Sequence, residues 1–120
     1  MPLATSFNSV KIISLDRERL LGQLRAIAAR IRREQNAVED IRVFGSLARG
    51  DATGTSDADV LLVLRDTTET DPHRRILRFM RYFDLDRGID LLVYTRAELE
   101  RELSADNRFL QRAWRESIPL

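Results

Sequence analysis

The feature that most restricts the fold of this chain is a nearly continuous apolar run, ADVLLVL, from Ala58 to Leu64. A strand with one wet face alternates apolar and polar residues, whereas an almost uninterrupted run is typical of a strand covered on both faces. A strand of that kind needs packing layers on its two sides. The run therefore favours a sheet with helices packed against it.

Helical and strand patterns alternate along the rest of the chain, and residues 1–13 are expected to form an extended arm. The other predicted elements are a helix capped by Ser14 and running to about Gln35, a strand Ile41–Phe44, one helical turn near Leu47–Arg49, a helix starting at Asp71-Pro72, a strand Ile89–Tyr94, a helix from the capping box of Thr95 and Glu98 to about Leu103, and a last helix around Phe109–Trp114. This order predicts an α/β fold: a small mixed sheet of three to four strands with helices packed against it, in a single domain spanning residues 1–120.

Composition narrows the class of protein further. The 120 residues contain no cysteine, which excludes a disulfide or a thiolate zinc site. The longest purely apolar run, Val60–Leu64, is far shorter than a membrane span, and the N-terminus lacks the pattern of a signal peptide. The net charge of +1 gives no sign of nucleic-acid binding. We therefore expect a cytoplasmic protein that binds neither membrane nor nucleic acid directly.

Two carboxylates stand at the start of the apolar run. Asp57 and Asp59 are two residues apart, so on a strand their side chains point to the same face. Carboxylates that enter an apolar layer are costly, and two that face the same way also repel each other. A divalent cation would relieve both costs, and Mg²⁺ is held by one or two carboxylates together with phosphate oxygens.

Spacing alone does not make this pair special, because chance predicts about one D-x-D in a chain with this many aspartates. A second pair, Asp84 and Asp86, is expected at the solvated end of an amphipathic helix. A third acid of interest, Asp90, opens the other strong strand, IDLLVY. If the two strands are neighbours, Asp90 reaches the corner of Asp57 and Asp59. The three acids then either form a two-metal cluster or merely mark strand edges and bond loop amides.

A glycine–serine pair precedes the acids by ten residues. Gly45 and Ser46 follow a strand, where glycine allows close backbone approach to a phosphate and the hydroxyl can bind its oxygens. Arg49 lies one turn further on and could add a charged contact. For the glycine–serine pair alone, an ordinary strand-to-helix turn is the favoured explanation, and the sequence is not a Walker loop.

Taken jointly, G-S, ten residues, D-A-D and a later acid opening an apolar strand resemble the minimal nucleotidyltransferases of the DNA polymerase β superfamily. The match is without gaps at Gly45, Ser46, Asp57 and Asp59, and Asp90 stands in the place of the third acid. The wider stretch GSLARG is also similar to the family's motif. The resemblance implies the polymerase β-like nucleotidyltransferase fold.

The resemblance also implies an activity: Mg²⁺-dependent transfer of a nucleoside monophosphate from a triphosphate, here ATP, to a hydroxyl. Asp57 and Asp59 would then hold two Mg²⁺ ions, with Asp90 completing the site and helping to deprotonate the acceptor. Gly45 and Ser46 would bind the β- and γ-phosphates. Arg49 would assist them.

Minimal members of this family resemble the antitoxins of two-component systems whose partner is a helical HEPN ribonuclease toxin. The leading hypothesis is therefore transfer of AMP to a tyrosine of such a toxin, in a hetero-oligomer. The alternatives are a small-molecule enzyme of the aminoglycoside type and an antitoxin that acts by binding alone. Phe109 and Trp114 are candidate partner contacts, although such residues more often belong to a core.

Overall fold

The structure of this protein is a computed structural model that describes residues 2–53 and 56–120, with the side chains of residues 2–15 outside that description. Its helices and strands are, in chain order, α1 (Pro2–Glu34), β1 (Val38–Phe44), α2 (Gly45–Arg49), β2 (Ala58–Leu64), α3 (Pro72–Met80), β3 (Ile89–Thr95), α4 (Arg96–Ser104), α5 (Arg108–Glu116) and β4 (Ile118–Pro119). The predicted α/β architecture is confirmed.

The long first helix corrects the expectation of an extended arm over residues 1–13. α1 is helical from Pro2, which occupies the first helical position that proline tolerates, and Ser14 lies inside the helix instead of capping it. The sequence has no glycine or proline between Pro2 and Gly22, so no helix-breaking residue separates the expected arm from the predicted helix. The predicted end near Gln35 is confirmed within one residue.

The sheet has four strands in the order β3-β2-β1-β4. β2 pairs with β1 in antiparallel fashion and with β3 in parallel fashion, so the sheet is mixed, as the sequence predicts. β4 adds a short antiparallel pair to the other edge of β1. This order makes β2 a central strand with a neighbour on each side.

Helices cover β2 on both faces, as its apolar run predicts. On one face, Val60 and Leu62 pack in a cluster with residues of α1 and α3, including Leu24 and Phe79. On the other face lies a smaller cluster with residues of α4 and α5: Phe44, Leu61, Val63, Leu99, Leu110 and Ala113. The residues of β2 other than Asp59 are buried, which explains why the strand lacks polar alternation.

Local caps fix the ends of three helices. The Asp71 side chain accepts a hydrogen bond from the His73 backbone N–H at 3.0 Å, at the start of α3. Thr95 and Glu98 form the predicted capping box at the start of α4. Asn107 caps α5 by accepting from the Leu110 N–H at 3.0 Å. The caps of α3 and α4 fix where the helices before and after β3 begin. Pairing with β2 then places the first residues of β3 at the same end of the sheet as the start of β2.

Across the described residues, none of the helices combines the length and the apolar character needed to cross a membrane.

Candidate active site

The two acids that open the central strands lie side by side. Asp59 of β2 and Asp90 of β3 are paired residues in the parallel ladder, so their side chains lie on the same face of the sheet. That face carries Leu61 and Val63 and is covered by α4 and α5. The prediction that β2 and β3 are neighbours, and that Asp90 reaches the corner of Asp59, is therefore correct.

Asp57 precedes the first residue of β2 and is exposed, while Ala58 between the two acids is fully buried. The Ala58 N–H donates to the Gly88 carbonyl oxygen at 3.0 Å, which extends the β2–β3 pairing to this end. A Cβ atom at Gly88 would overlap the Asp57 carboxylate. The absence of a side chain at Gly88 thus leaves the space that this carboxylate occupies, a role that sequence reasoning did not assign to this glycine.

Gly45 accommodates the other acid of the pair. Its φ of +68° lies in the left-handed region, and a Cβ there would overlap the Asp59 carboxylate and lie 3.2 Å from its Cγ. The residue before it, Phe44, is paired with Asp59 across the β1–β2 ladder. The glycine–serine turn is therefore packed directly against the acid of β2, and Gly45 is required both by backbone geometry and by space.

The electrostatics of this corner disfavour the charged form of its central acid. Burial raises the pKa of Asp59, and the negative charges of Asp90 and then Asp57 raise it further, while the positive charge of Arg49 acts in the opposite direction. These effects require the three carboxylates to be near one another. They also make the corner receptive to added positive charge.

The basic residues of the chain do not supply that charge directly. Among the described residues, no ion pair involves Asp57, Asp59 or Asp90, although the chain has 20 lysines and arginines. Acids with a structural role usually find such partners or a backbone amide. The three acids are left available for a cation from outside the chain.

The donor set fits Mg²⁺, which prefers oxygen ligands and commonly takes only one or two carboxylates together with substrate phosphates. Within residues 2–53 and 56–120, no three histidine, cysteine, aspartate or glutamate side chains are arranged as a complete set of metal ligands. Asp57 and Asp59 fit as two carboxylate ligands, and a substrate phosphate would complete the coordination of the ion. The three-acid, two-metal cluster remains a prediction.

The predicted phosphate-binding residues lie at the same corner. Ser46 is the second residue of α2, and its carbonyl oxygen accepts from the N–H groups of Gly50 at 2.9 Å and Asp51 at 3.0 Å. Its hydroxyl makes no hydrogen bond with any other described residue. Arg49 ends α2 and pairs with Asp51 at 3.3 Å and with Glu116 of α5 at 2.9 Å. No sequence pattern identifies Glu116 as the partner of Arg49, because the two residues are 67 positions apart in the chain.

The second D-x-D pair does not open a strand. α3 ends at Met80, so Asp84 and Asp86 belong to the connection before β3 and not to a helix end. Both are exposed. The predicted helix end is wrong, because the turn at residues 81–82 stops the helix before the acids are reached, but the expected solvated position is correct.

The two candidate partner contacts differ in exposure. Phe109, in the first turn of α5, is 62% exposed and touches Phe44 edge to face, with ring centroids 6.2 Å apart. Trp114 is half-buried beneath the Arg42 guanidinium, 4.8 Å from the ring centroid. Of the two, Phe109 presents the larger exposed apolar surface, and it contacts the residue of β1 that pairs with Asp59.

Comparison with known proteins agrees with this geometry. The profile of a family described as "Nucleotidyltransferase domain" matches residues 24–119. Among solved structures, the chain is similar to a proposed nucleotidyltransferase from Sulfolobus solfataricus, with a TM-score of 0.64 and 27% identity over 74% of this chain and 78% of that one. No curated protein matches. The family match includes the glycine–serine turn and all three acids, and the chain therefore belongs to the nucleotidyltransferase domain family.

Proposed function

We propose that this chain transfers AMP from ATP to a hydroxyl group and releases pyrophosphate. The observation that carries the proposal is the pairing of Asp59 with Asp90 on neighbouring strands, packed against the glycine of the Gly45-Ser46 turn. Nucleotidyltransferase domains in general use a nucleoside triphosphate and a divalent metal ion. The corner supplies oxygen ligands for the ion and a turn for the phosphates.

In the proposed mechanism, the Ser46 hydroxyl and the Gly45 backbone bind the β- and γ-phosphates. Asp57 and Asp59 would hold the divalent metal ion. Bound Mg²⁺ would offset the charge of the triphosphate and stabilise the attacking and leaving oxygens. The acceptor oxygen forms a bond to the α-phosphorus, the bond from that phosphorus to the bridging oxygen breaks, and the acceptor proton passes to the Asp90 carboxylate.

The proposed acceptor is a tyrosine of a helical HEPN ribonuclease toxin, with this chain acting as antitoxin within a hetero-oligomer. Phe109 supports a protein acceptor, because a large exposed aromatic side chain beside a reactive corner is typical of a contact surface. The open position of Asp57 and Asp90 at the end of the sheet also leaves room for a bulky acceptor.

The test supplies Mg²⁺ with ATP labelled at either the α- or the γ-phosphate, together with the protein product of the neighbouring gene. We expect label on that protein from the α position only. Label from the γ position would indicate a kinase and reject the proposal. Tight binding of the two proteins without any label would favour an antitoxin that acts by binding. In a parallel reaction with an aminoglycoside in place of the partner protein, label on the aminoglycoside alone would favour the small-molecule enzyme.

The contact surface is tested separately by Phe109→Ala. We expect weaker association with the toxin, while ATP binding is retained. Leu77→Ala is the matched control, because Leu77 is the other large exposed apolar residue of the described chain, at 70% exposure, and lies on α3. Equal effects of the two substitutions would remove Phe109 from the proposed interface.

A further inference from the structure

Arg49 is already held by acids within the chain. Its Nη1 donates to the Glu116 Oε2 at 2.9 Å, and its Nε donates to Asp51 Oδ2 at 3.3 Å. Its positive charge also lowers the pKa of Asp59, against the effect of burial, so the guanidinium lies within electrostatic range of the acid corner. Arg49 is therefore oriented near the site before any ligand arrives.

Glu116 is itself fixed in place. It is the last residue of α5, and its Oε1 accepts from the Nε of Arg112, one turn earlier, at 2.9 Å. Hydrogen bonds from Arg112 and then Arg49 hold the pKa of Glu116 below its usual range. The two carboxylate oxygens thus serve different arginines, and the charge that faces Arg49 stays negative near neutral pH.

The end of α5 is also tied to the sheet. The next residue, Ser117, accepts a hydrogen bond through its Oγ from Arg42 Nε of β1 at 2.7 Å. Ile118 then joins the sheet beside Val43. The position of Glu116 is consequently set by β1, the same strand that leads into the Gly45-Ser46 turn.

We propose that Glu116 is a positioning residue that holds the Arg49 guanidinium ready for a phosphate of the nucleoside triphosphate; this inference rests on the proposed function. Guanidinium carries five N–H donors in a rigid fork. Glu116 and Asp51 occupy Nη1 and Nε, which leaves donors of Nη2 for a phosphate oxygen. Glu116 acts through Arg49 and touches no reacting atom.

The first experiment measures binding of a non-hydrolysable ATP analogue by isothermal titration calorimetry in the presence of Mg²⁺. Because a long side chain that is no longer pre-ordered must be immobilised on binding, Glu116→Ala should weaken the affinity about three- to tenfold. KM for ATP should rise by a similar factor, with the effect falling on KM and not on kcat. Glu116→Gln keeps a hydrogen-bond acceptor and should restore part of the affinity.

Glu34→Ala is the matched control. Glu34 is also the last residue of its helix, and it also accepts from an arginine one turn earlier, Arg30, at 2.8 Å, but it belongs to α1 and has no contact with Arg49. Its substitution should leave the affinity for the analogue unchanged. Unchanged or tighter binding in Glu116→Ala would overturn the proposal, since tighter binding would mean that Glu116 competes with the phosphate.

A double variant separates positioning from a general structural effect. In an Arg49→Ala background, Glu116→Ala should have no further effect on the affinity. An equal loss in both backgrounds would show that Glu116 acts on the structure of α5, and would also overturn the proposal. If the wild-type chain binds the analogue and transfers AMP while the Glu116 variants behave normally, only this inference fails; if the wild-type chain binds no nucleoside triphosphate, the proposed function fails with it.

Discussion

Two pairs of aspartates with identical spacing occupy different environments in this protein. Asp57 and Asp59 lead into the central strand, where two glycines leave space for their carboxylates and a third acid stands beside them. Asp84 and Asp86 lie exposed in a connection between a helix and a strand. The difference teaches that an acid pair becomes a candidate site when the charge of its members is costly to place: Asp84 and Asp86 are hydrated, whereas Asp59 is partly buried and close to the like charges of Asp90 and Asp57.

The largest expected contrast between the two pairs is in activity. Asp59→Asn removes a proposed metal ligand and should lower the rate of AMP transfer by about 10²–10³ or more, the range typical of losing one transition-state stabilising group. Asp84→Asn removes the same charge from a hydrated loop and should leave the rate close to wild type. Initial rates with ATP labelled at the α-phosphate measure both. Similar losses in the two variants would break the comparison.

The glycines that flank the first pair give the next contrast, in stability. Gly45→Ala must place a Cβ against the Asp59 carboxylate at φ +68°, and should destabilise the protein by about 1–3 kcal/mol. Gly22 lies in the interior of α1, and a Cβ added there would have nothing within 4 Å. Gly22→Ala should therefore stabilise the protein by about 0.5–1 kcal/mol. Urea unfolding of both variants measures the free energies. A Gly45→Ala protein as stable as wild type would show that the turn and the acid are not packed as described.

The smallest expected effect is the pH dependence of stability. Because the pKa of Asp59 is raised in the folded protein, mainly by burial and then by Asp90, the folded state binds more protons than the unfolded state between the ordinary and the raised values. Stability should therefore fall as pH rises through that window. Asp59→Asn removes this loss, so without Mg²⁺ its melting temperature should equal or exceed that of wild type at pH 7, with a smaller difference near pH 4.

Asp84→Asn controls for the loss of one negative charge in the same melting experiments. A melting temperature that falls in Asp59→Asn at pH 7 would contradict a raised pKa of Asp59 in the folded protein. Addition of Mg²⁺ should raise the melting temperature of wild type more than that of Asp59→Asn, because an ion that binds the folded state stabilises it by mass action.

Local signals in the sequence were sufficient where neighbouring residues decide the structure. The apolar run fixed the bounds of β2, and the caps at Asp71 and Thr95 began α3 and α4 where predicted. Local signals misled at the N-terminus, because serine favours a cap but does not prevent a helix from continuing through Ser14. They also misled at Asp84–Asp86, where an amphipathic pattern persists beyond the turn that ends α3.

Contacts between distant residues could not be predicted from spacing. β4 has two residues and exists only through pairing with β1, so no periodicity reveals it. The same is true of Glu116, which reaches Arg49 only because α5 and the sheet are folded, and of Gly88, whose missing side chain matters only beside Asp57. At the site, residue types and their order along the chain were predictable, while the supporting contacts were not.

The register of β3 against β2 has a consequence for the specificity of folding. The strand carries apolar side chains on both faces, so hydrophobicity alone would tolerate a slip of one residue. Such a slip would turn the Asp90 carboxylate from the α4–α5 face toward the larger apolar cluster formed with α1 and α3, where burying a carboxylate is costly. Asp90, the acid proposed to accept the proton of the acceptor, would thus also help to specify the register of β3 against β2.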